Sequence, residues 1–251
     1  SPQSSVLSPD PRIVKDPEVQ RAVALLTLDY EDEAYTAFKA LAERMKSEGD
    51  ALGLAQVVLY LRYHASPRTT MTAAETLASM DAGRDLLKRP KLLLKTIYST
   101  PYAPLVLQEA ATRNIDPLVV YSLMRQESQF VPDARSHADA RGLTQVIPST
   151  GQGIADQLGD ADFQSFDLYM PIVNIRYGTY YLASNLPQFD RKLFPTLAAY
   201  NAGPGNAARW LAGSALIDPD LYAERIDLFE TADYLEQVYL NYGFYRSIYG
   251  K

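Results

Sequence analysis

The sequence predicts an all-α protein built in two parts. Three observations carry that prediction. Apolar residues recur at helical spacing through most of the chain, no stretch shows the Val/Ile/Thr alternation of a strand, and Pro101 and Pro104 together interrupt the pattern. Composition is consistent with a folded chain. Of the 251 residues, 47% are hydrophobic and 22% charged, which suits a buried core and argues against disorder. The 24 basic and 30 acidic residues leave a net charge of −6. That argues against nucleic acid as a partner, because neutralising phosphates takes a basic surface. The absence of cysteine removes disulfides, thiol nucleophiles and thiolate metal sites. No apolar run approaches the roughly 18 residues of a membrane span. The chain opens on Ser1-Pro2-Gln3-Ser4-Ser5, with neither the basic nor the apolar segment of a secretion leader. The reading is that a leader has been removed or that the chain starts inside a longer protein.

Residues 1–15, with Pro2, Pro9 and Pro11 among serines, read as an extended lead-in. Asp16-Pro17 then opens a helix, Asp as cap and Pro at the first helical position, with Val19, Ala22, Val23 and Leu26 on one face. A second helix carries Ala34, Phe38, Leu41, Ala42 and Met45 and stops near Gly49. A third carries Leu52, Leu54, Val57, Val58 and Leu61. A fourth follows Ser66-Pro67 through Met71, Ala74, Leu77 and Ala78 to Gly83. Residues 16–99 are therefore expected to form a small helical-pair domain. Beyond the proline break, residues 100–251 form a second domain with helices expected at 104–113, 117–128, 148–158, 171–186, 193–201, 206–212 and 228–249.

One helix of the second domain places a carboxylate unusually. After Asp116-Pro117, the residues Val120, Leu123, Met124 and Glu127 fall on one face, so Glu127 extends an apolar stripe. Pro132 limits the helix and leaves Glu127 in its last turn. Partial burial, apolar neighbours and the negative end of the helix dipole all disfavour the ionised form and raise its pKa. A glutamic acid kept protonated near neutral pH is what glycoside cleavage asks of its general acid. From this helix alone, a Glu paired with Arg125 or turned to solvent is the commoner case, since most charged residues are solvated.

The flanking residues add a resemblance. Glu127-Ser128-Gln129-Phe130 is followed by Ser136-His137-Ala138-Asp139-Ala140-Arg141-Gly142-Leu143-Thr144-Gln145-Val146-Ile147-Pro148-Ser149-Thr150. Three further blocks come in order: Asn174-Ile175-Arg176-Tyr177-Gly178 with Tyr181-Leu182, then Ala199-Tyr200-Asn201-Ala202-Gly203-Pro204-Gly205, then Glu230-Thr231 with Tyr234-Leu235 and Val238. Across residues 100 to 250 this resembles the soluble lytic transglycosylases of bacterial cell walls, related in fold to goose-type lysozyme. The residues before 100 are similar, more loosely, to the tail of that family's N-terminal helical superstructure. The resemblance implies a superhelical segment followed by a lysozyme-like α-helical catalytic domain.

It also implies cleavage of the β-1,4 bond between N-acetylmuramic acid and N-acetylglucosamine, with Glu127 as acid and then base and a 1,6-anhydro product. Ser136 and Gln145 would bond around the reacting sugar. Tyr200 and Asn201 would sit near Glu127, orienting it or the substrate's acetamido group. Glu230 would meet the peptide stem, with Tyr234 nearby. The implied partners are peptidoglycan strands and their stems, with cell-wall assembly partners possible through the helical region. The implied place is the bacterial cell envelope, periplasmic or extracellular, and no cofactor is called for. Two positions depart from the family pattern. Thr144 stands where Met is usual, changing one cleft contact. Asp139 stands where many members have Gly, and Asp is among the few residues that tolerate a positive φ. A hydrolytic muramidase in which Asp139 or Asp133 activates water is one alternative, and a non-catalytic glycan-binding or scaffold protein that keeps the fold without turnover is the alternative from a different class.

Other chemistries fit poorly. His64 and His137 lie in different domains and H-E-x-x-H is absent, so no zinc site is expected. The run from Asp160 starts like a calcium loop but has Ser165 and Pro171 where Gly and Glu are needed. Gly203-Pro204-Gly205 lacks the lysine and the preceding strand of a phosphate loop.

Overall fold

The computed structural model describes residues 14–80, 90–211 and 219–250. Two compact units emerge, one ending at Ser99 and the other starting at Thr100. The predicted lead-in up to residue 13, the end of the fourth helix near Gly83 and residue 212 lie outside the described residues.

The first unit holds α1 (Pro17–Thr27), α2 (Glu31–Ser47), α3 (Ala51–His64), α4 (Pro67–Ser79) and α5 (Lys91–Ile97). Asp16 caps α1 as expected, accepting from the backbone N–H groups of Glu18 and Val19, and Ser66 caps α4 by accepting from Thr69 N–H. The predicted stripes face inward for the most part, although Leu52, expected on the stripe of α3, is exposed. Phe38, Leu41 and Met45 of α2 and Leu54, Val57 and Leu61 of α3 are buried. Burying each such side chain stabilises the fold by about 1.5–3 kcal/mol. α4 packs on both α2 and α3, and α5 packs on α4. The sequence reading did not include α5. Its seven residues begin straight after Pro90, and Leu92-Leu93-Leu94 shows no period over so short a span.

The second unit comprises α6 (Ala103–Thr112), α7 (Pro117–Ser128), α8 (Pro148–Leu158), α9 (Pro171–Asn185), α10 (Leu193–Ala202), α11 (Pro204–Leu211), α12 (Pro219–Glu224) and α13 (Phe229–Tyr249), with short 3-10 turns at Ser165–Tyr169 and Leu186–Phe189. No strand forms among the described residues. Isolated bridges join Arg135 to Arg141 and Arg141 to Val146, folding 135–146 into a tight loop. The predicted helix from 206 starts earlier, at Pro204, because proline's missing N–H costs nothing in a first turn. The two 3-10 turns and α12 are too short to leave a periodic signature.

α7 and α13 are the frame of this unit. They run antiparallel: Tyr242 O–H donates to the capping Asp116 carboxylate at one end, Arg125 donates to Asn241 Oδ1 further along, and Tyr234 reaches Glu127 near the other. Between α7 and its neighbours α9, α10, α11 and α13 sits a core of Val119, Leu123, Leu182, Leu197, Trp210, Leu235 and Val238. A smaller cluster of Val146, Ile154, Leu168 and Tyr177 supports the 135–146 loop from below.

Candidate active site

Asp116 caps α7 through Leu118 N–H and Pro117 occupies the first turn, so helix start and register are locally fixed. Val120, Leu123 and Met124 are wholly buried on the predicted face. One turn on, Glu127 inherits that face where α7 ends. The helix stops there because Gln129 and Phe130 take positive φ, 52° and 65°, with the Phe130 ring buried. An aromatic residue in the left-handed region is strained, and such strain persists only where packing enforces it. The reversal sends the chain into the 135–146 loop, which returns beside Glu127.

The result is a cleft of about 520 Å³ lined by Glu127, Ser136, Gln145, Tyr200, Asn201 and Glu230, among others. Every residue singled out for the site is at this cleft or in contact with it. Glu127 is only half-buried as a residue, because it opens to the cleft, but its carboxyl is otherwise enclosed by protein. Burial pushes its pKa up to about 8, opposed by the hydrogen bond from Tyr234 O–H to Oε1 at 2.7 Å. Glu127 therefore carries a proton at neutral pH.

The surrounding polar groups have defined hydrogen-bond capacity. Ser136 Oγ accepts from Ala140 N–H at 3.0 Å, so its own hydrogen remains to be donated. Gln145 spends both Nε2 hydrogens on the carbonyls of Ala134 and Gly142, leaving Oε1 as acceptor. Asn201 Oδ1 accepts from Thr231 Oγ1 at 2.8 Å, leaving its NH2 as donor. Glu230, exposed in the first turn of α13, brings a charged group to the rim.

Three placements differ from the sequence reading. Tyr234 is 5% exposed and lies beneath the cleft, with its hydroxyl on Glu127 and not among the rim groups near Glu230. Tyr200 lines the cleft, but its hydroxyl donates to the Thr144 carbonyl at 2.7 Å, so the contact that holds Glu127 comes from Tyr234. Thr144 makes no side-chain contact with the cleft at all. It is fully buried, its N–H and Oγ1 both donating to Asn174 Oδ1 at 2.7 Å. That packing needs Gly178, since a Cβ there would collide with Thr144 Oγ1. Asp139 takes the positive φ expected of it, 62°. Arg141 and Arg135 pair with its carboxylate and hold its pKa below the ordinary range, and neither Asp139 nor Asp133 lines the cleft.

Three supporting residues were not singled out from sequence, although each stands inside a quoted block. Ser128 donates to the Leu143 carbonyl at 2.8 Å and ties the end of α7 to the loop. Asn174, wholly buried, satisfies its whole amide: Nδ2 donates to the carbonyls of Arg141 and Leu168 while Oδ1 accepts twice from Thr144. Thr231 holds Asn201. Polar residues on otherwise apolar helix faces were the available signal. Among the described residues no group of His, Asp and Glu could hold a metal ion, and Asp160 is engaged with Tyr177 and Arg176.

The sequence and the fold have counterparts among known proteins. The family model described as Transglycosylase SLT domain matches residues 104–218. The soluble lytic murein transglycosylase of Salmonella typhimurium strain LT2 is 31% identical over 160 residues, covering 63% of this chain and 25% of that protein. The putative soluble lytic murein transglycosylase of Haemophilus influenzae is 34% identical over 137 residues, covering 54% of this chain and 23% of its own. The crystal structure of the 70 kDa soluble lytic transglycosylase from Escherichia coli superposes with a TM-score of 0.77 at 25% identity, over 96% of this chain and 37% of that one. The chain thus spans about a quarter of the length of the curated relatives it matches. The matched stretch takes in the Glu127 helix, the 135–146 loop and the Tyr200-Asn201 turn, so the second unit is similar to the lytic transglycosylases.

Proposed function

We propose that the chain cleaves the β-1,4 bond between N-acetylmuramic acid and N-acetylglucosamine in peptidoglycan and leaves a 1,6-anhydromuramoyl end. The observation that carries this reading is a Glu127 carboxyl enclosed at a polar-lined cleft, its pKa raised by burial and its Oε1 accepting from the neutral Tyr234 hydroxyl. Glu127 gives its proton to the glycosidic oxygen as the C1–O4 bond breaks. The resulting carboxylate takes the proton of the muramic C6 hydroxyl, whose oxygen bonds to C1 and closes the anhydro ring. Glu127 ends as it began and no water enters the balance. The substrate's own acetamido group assists at C1 in place of a second carboxylate, which glycosidases otherwise keep roughly 5–9.5 Å from the first.

Ser136, Gln145 and Asn201 hold the reacting sugar by hydrogen bonds, and Glu230 meets the peptide stem at the rim. The hydrolytic alternative is disfavoured by the Arg135 and Arg141 pairing of Asp139 and by the position of Asp133 outside the cleft. Residues 16–99 form a separate domain that serves longer glycan strands or assembly partners. The enzyme works in the cell envelope; no helix among the described residues is long and apolar enough to cross a membrane. Digestion of purified peptidoglycan followed by mass spectrometry tests the proposal. Muropeptides lighter by one water than hydrolysis products are expected, and products of hydrolytic mass would overturn it.

A further inference from the structure

Thr231 sits in the first turn of α13, 2% exposed, one residue past the cleft-lining Glu230 and three before Tyr234. Its hydroxyl has one hydrogen to give, and that hydrogen goes to Asn201 Oδ1 at 2.8 Å. Asn201 itself is exposed in the last turn of α10 and lines the cleft. An unbraced asparagine can turn its amide end for end and offer either a donor or an acceptor. With Oδ1 fixed by a buried hydroxyl, only the NH2 is left.

We infer that Thr231 is a positioning residue that fixes the amide of Asn201 so that the cleft presents a hydrogen-bond donor there, and hence takes an acceptor oxygen of the glycan at that point. This rests on the reading of the cleft as the glycan site. It also gives α13 a second task. The helix that steadies the acid through Tyr234 sets the polarity of the cleft at Asn201 through Thr231. The brace is placed to last through turnover, since it is buried and involves no group that titrates near neutral pH. Loss of one such bond leaves the amide free to populate its reversed orientation, which misplaces the substrate at the reacting bond.

Thr231→Val keeps the side-chain shape and removes the hydroxyl. On soluble glycan strands, kcat is expected to fall about tenfold with KM changed less, the size of effect a misoriented positioning group produces. Thr231→Ser should recover most of the loss. Asn201→Asp, which has acceptors only, should lose at least as much activity as Thr231→Val. In an Asn201→Ala background Thr231→Val should cost nothing further, because a residue that acts through another is silent once the other is gone. Full kcat in Thr231→Val, an additive loss in the double variant, or an active Asn201→Asp would each overturn the inference. The brace is also read without turnover. The side-chain amide NMR signals of Asn201 should shift and exchange faster with solvent in Thr231→Val. Unchanged signals would sink the brace, whereas an unmutated protein that leaves peptidoglycan intact would sink the proposed activity and leave the brace standing.

Discussion

Glu127 sits where a carboxyl is costly to ionise, and the cost has a thermodynamic sign. Its folded pKa is about 8 against an ordinary 4.5, so between those values the folded chain holds a proton that the unfolded chain has released. Stability contributed by this group is complete below pH 4.5 and is lost as pH rises through 8. Glu127→Gln removes the ionisation while keeping a group that accepts from Tyr234. It is expected to raise stability at pH 8 by on the order of 1–2 kcal/mol and to flatten the pH dependence of thermal unfolding over that window. Turnover should drop at least ~10²-fold, the lower end for loss of a general acid–base group. Near-full activity of the folded variant would refute the role. In the intact protein, activity should decline above pH 8 as the acid ionises. Asp139 offers the contrasting case. Its carboxylate is bound to two arginines outside the cleft, and Asn tolerates the same positive φ. Asp139→Asn should keep activity within about threefold of the unmutated protein, since it leaves the acid–base machinery untouched. Abolished cleavage with an unchanged circular dichroism spectrum would favour the water-using alternative.

The elements around the cleft depend on one buried amide. Asn174 on α9 binds the carbonyls of Arg141 and Leu168 and the N–H and hydroxyl of Thr144, and the Thr144 carbonyl in turn holds Tyr200. Breaking this junction leaves several buried polar groups without partners, each costing about 1–3 kcal/mol. The same junction explains why α9 carries glycine at 178. Thr144 Oγ1 is locked against Asn174 and has no room to retreat, so Gly178→Ala should cost about 1–3 kcal/mol through overpacking. In a protein of this size that lowers the melting midpoint by several degrees, roughly 2–4 °C for each kcal/mol. An unchanged midpoint would mean that the loop slides freely over α9. Also lining the cleft, Gly203 ends α10 with φ +85° and ψ 152°, a region essentially closed to residues with a Cβ. It lets α11 start at the next residue and leaves Tyr200 and Asn201 in the last turn of α10, beside the cleft.

At the scale of the whole molecule, the acid, its tyrosine and all the cleft-lining groups lie after Thr100, in a unit with its own apolar core. The preceding α5 packs on α4, inside the first unit. A fragment starting at Ser99 is therefore expected to fold and to form anhydro-muropeptides, with changed preference for long strands. It exceeds the usual length needed for an independent domain. Aggregation would mean that the apolar residues near Ile97 and Tyr98 shield the second unit. A soluble fragment that binds glycan without cutting it would mean that the first domain completes the site.

Helix placement in this chain was legible residue by residue, because it rests on local chemistry. Asp116-Pro117, Pro148 and Pro171 mark starts that need no tertiary partner, and the Val120-Leu123-Met124 face required burial wherever the helix docked. The same stripe carried Glu127 to the edge of the core, where it lines the cleft together with Ser136, Gln145, Tyr200, Asn201 and Glu230. Short elements escaped, since seven or fewer residues hold too few turns to show a period. Hydrogen-bond partnership escaped too. Which tyrosine reaches Glu127, that Thr144 turns inward to Asn174, and that Thr231 holds Asn201 are pairings between residues 30 to 107 positions apart. Side chains at such separations meet only after helices have packed, and a shift of one residue in helix register would exchange one partner for another. Local sequence sets the longer helices and the apolar face on which Glu127 stands. Tertiary packing alone decided the donors and acceptors the cleft residues present, because that depends on which of their hydrogen bonds are already spent inside the fold.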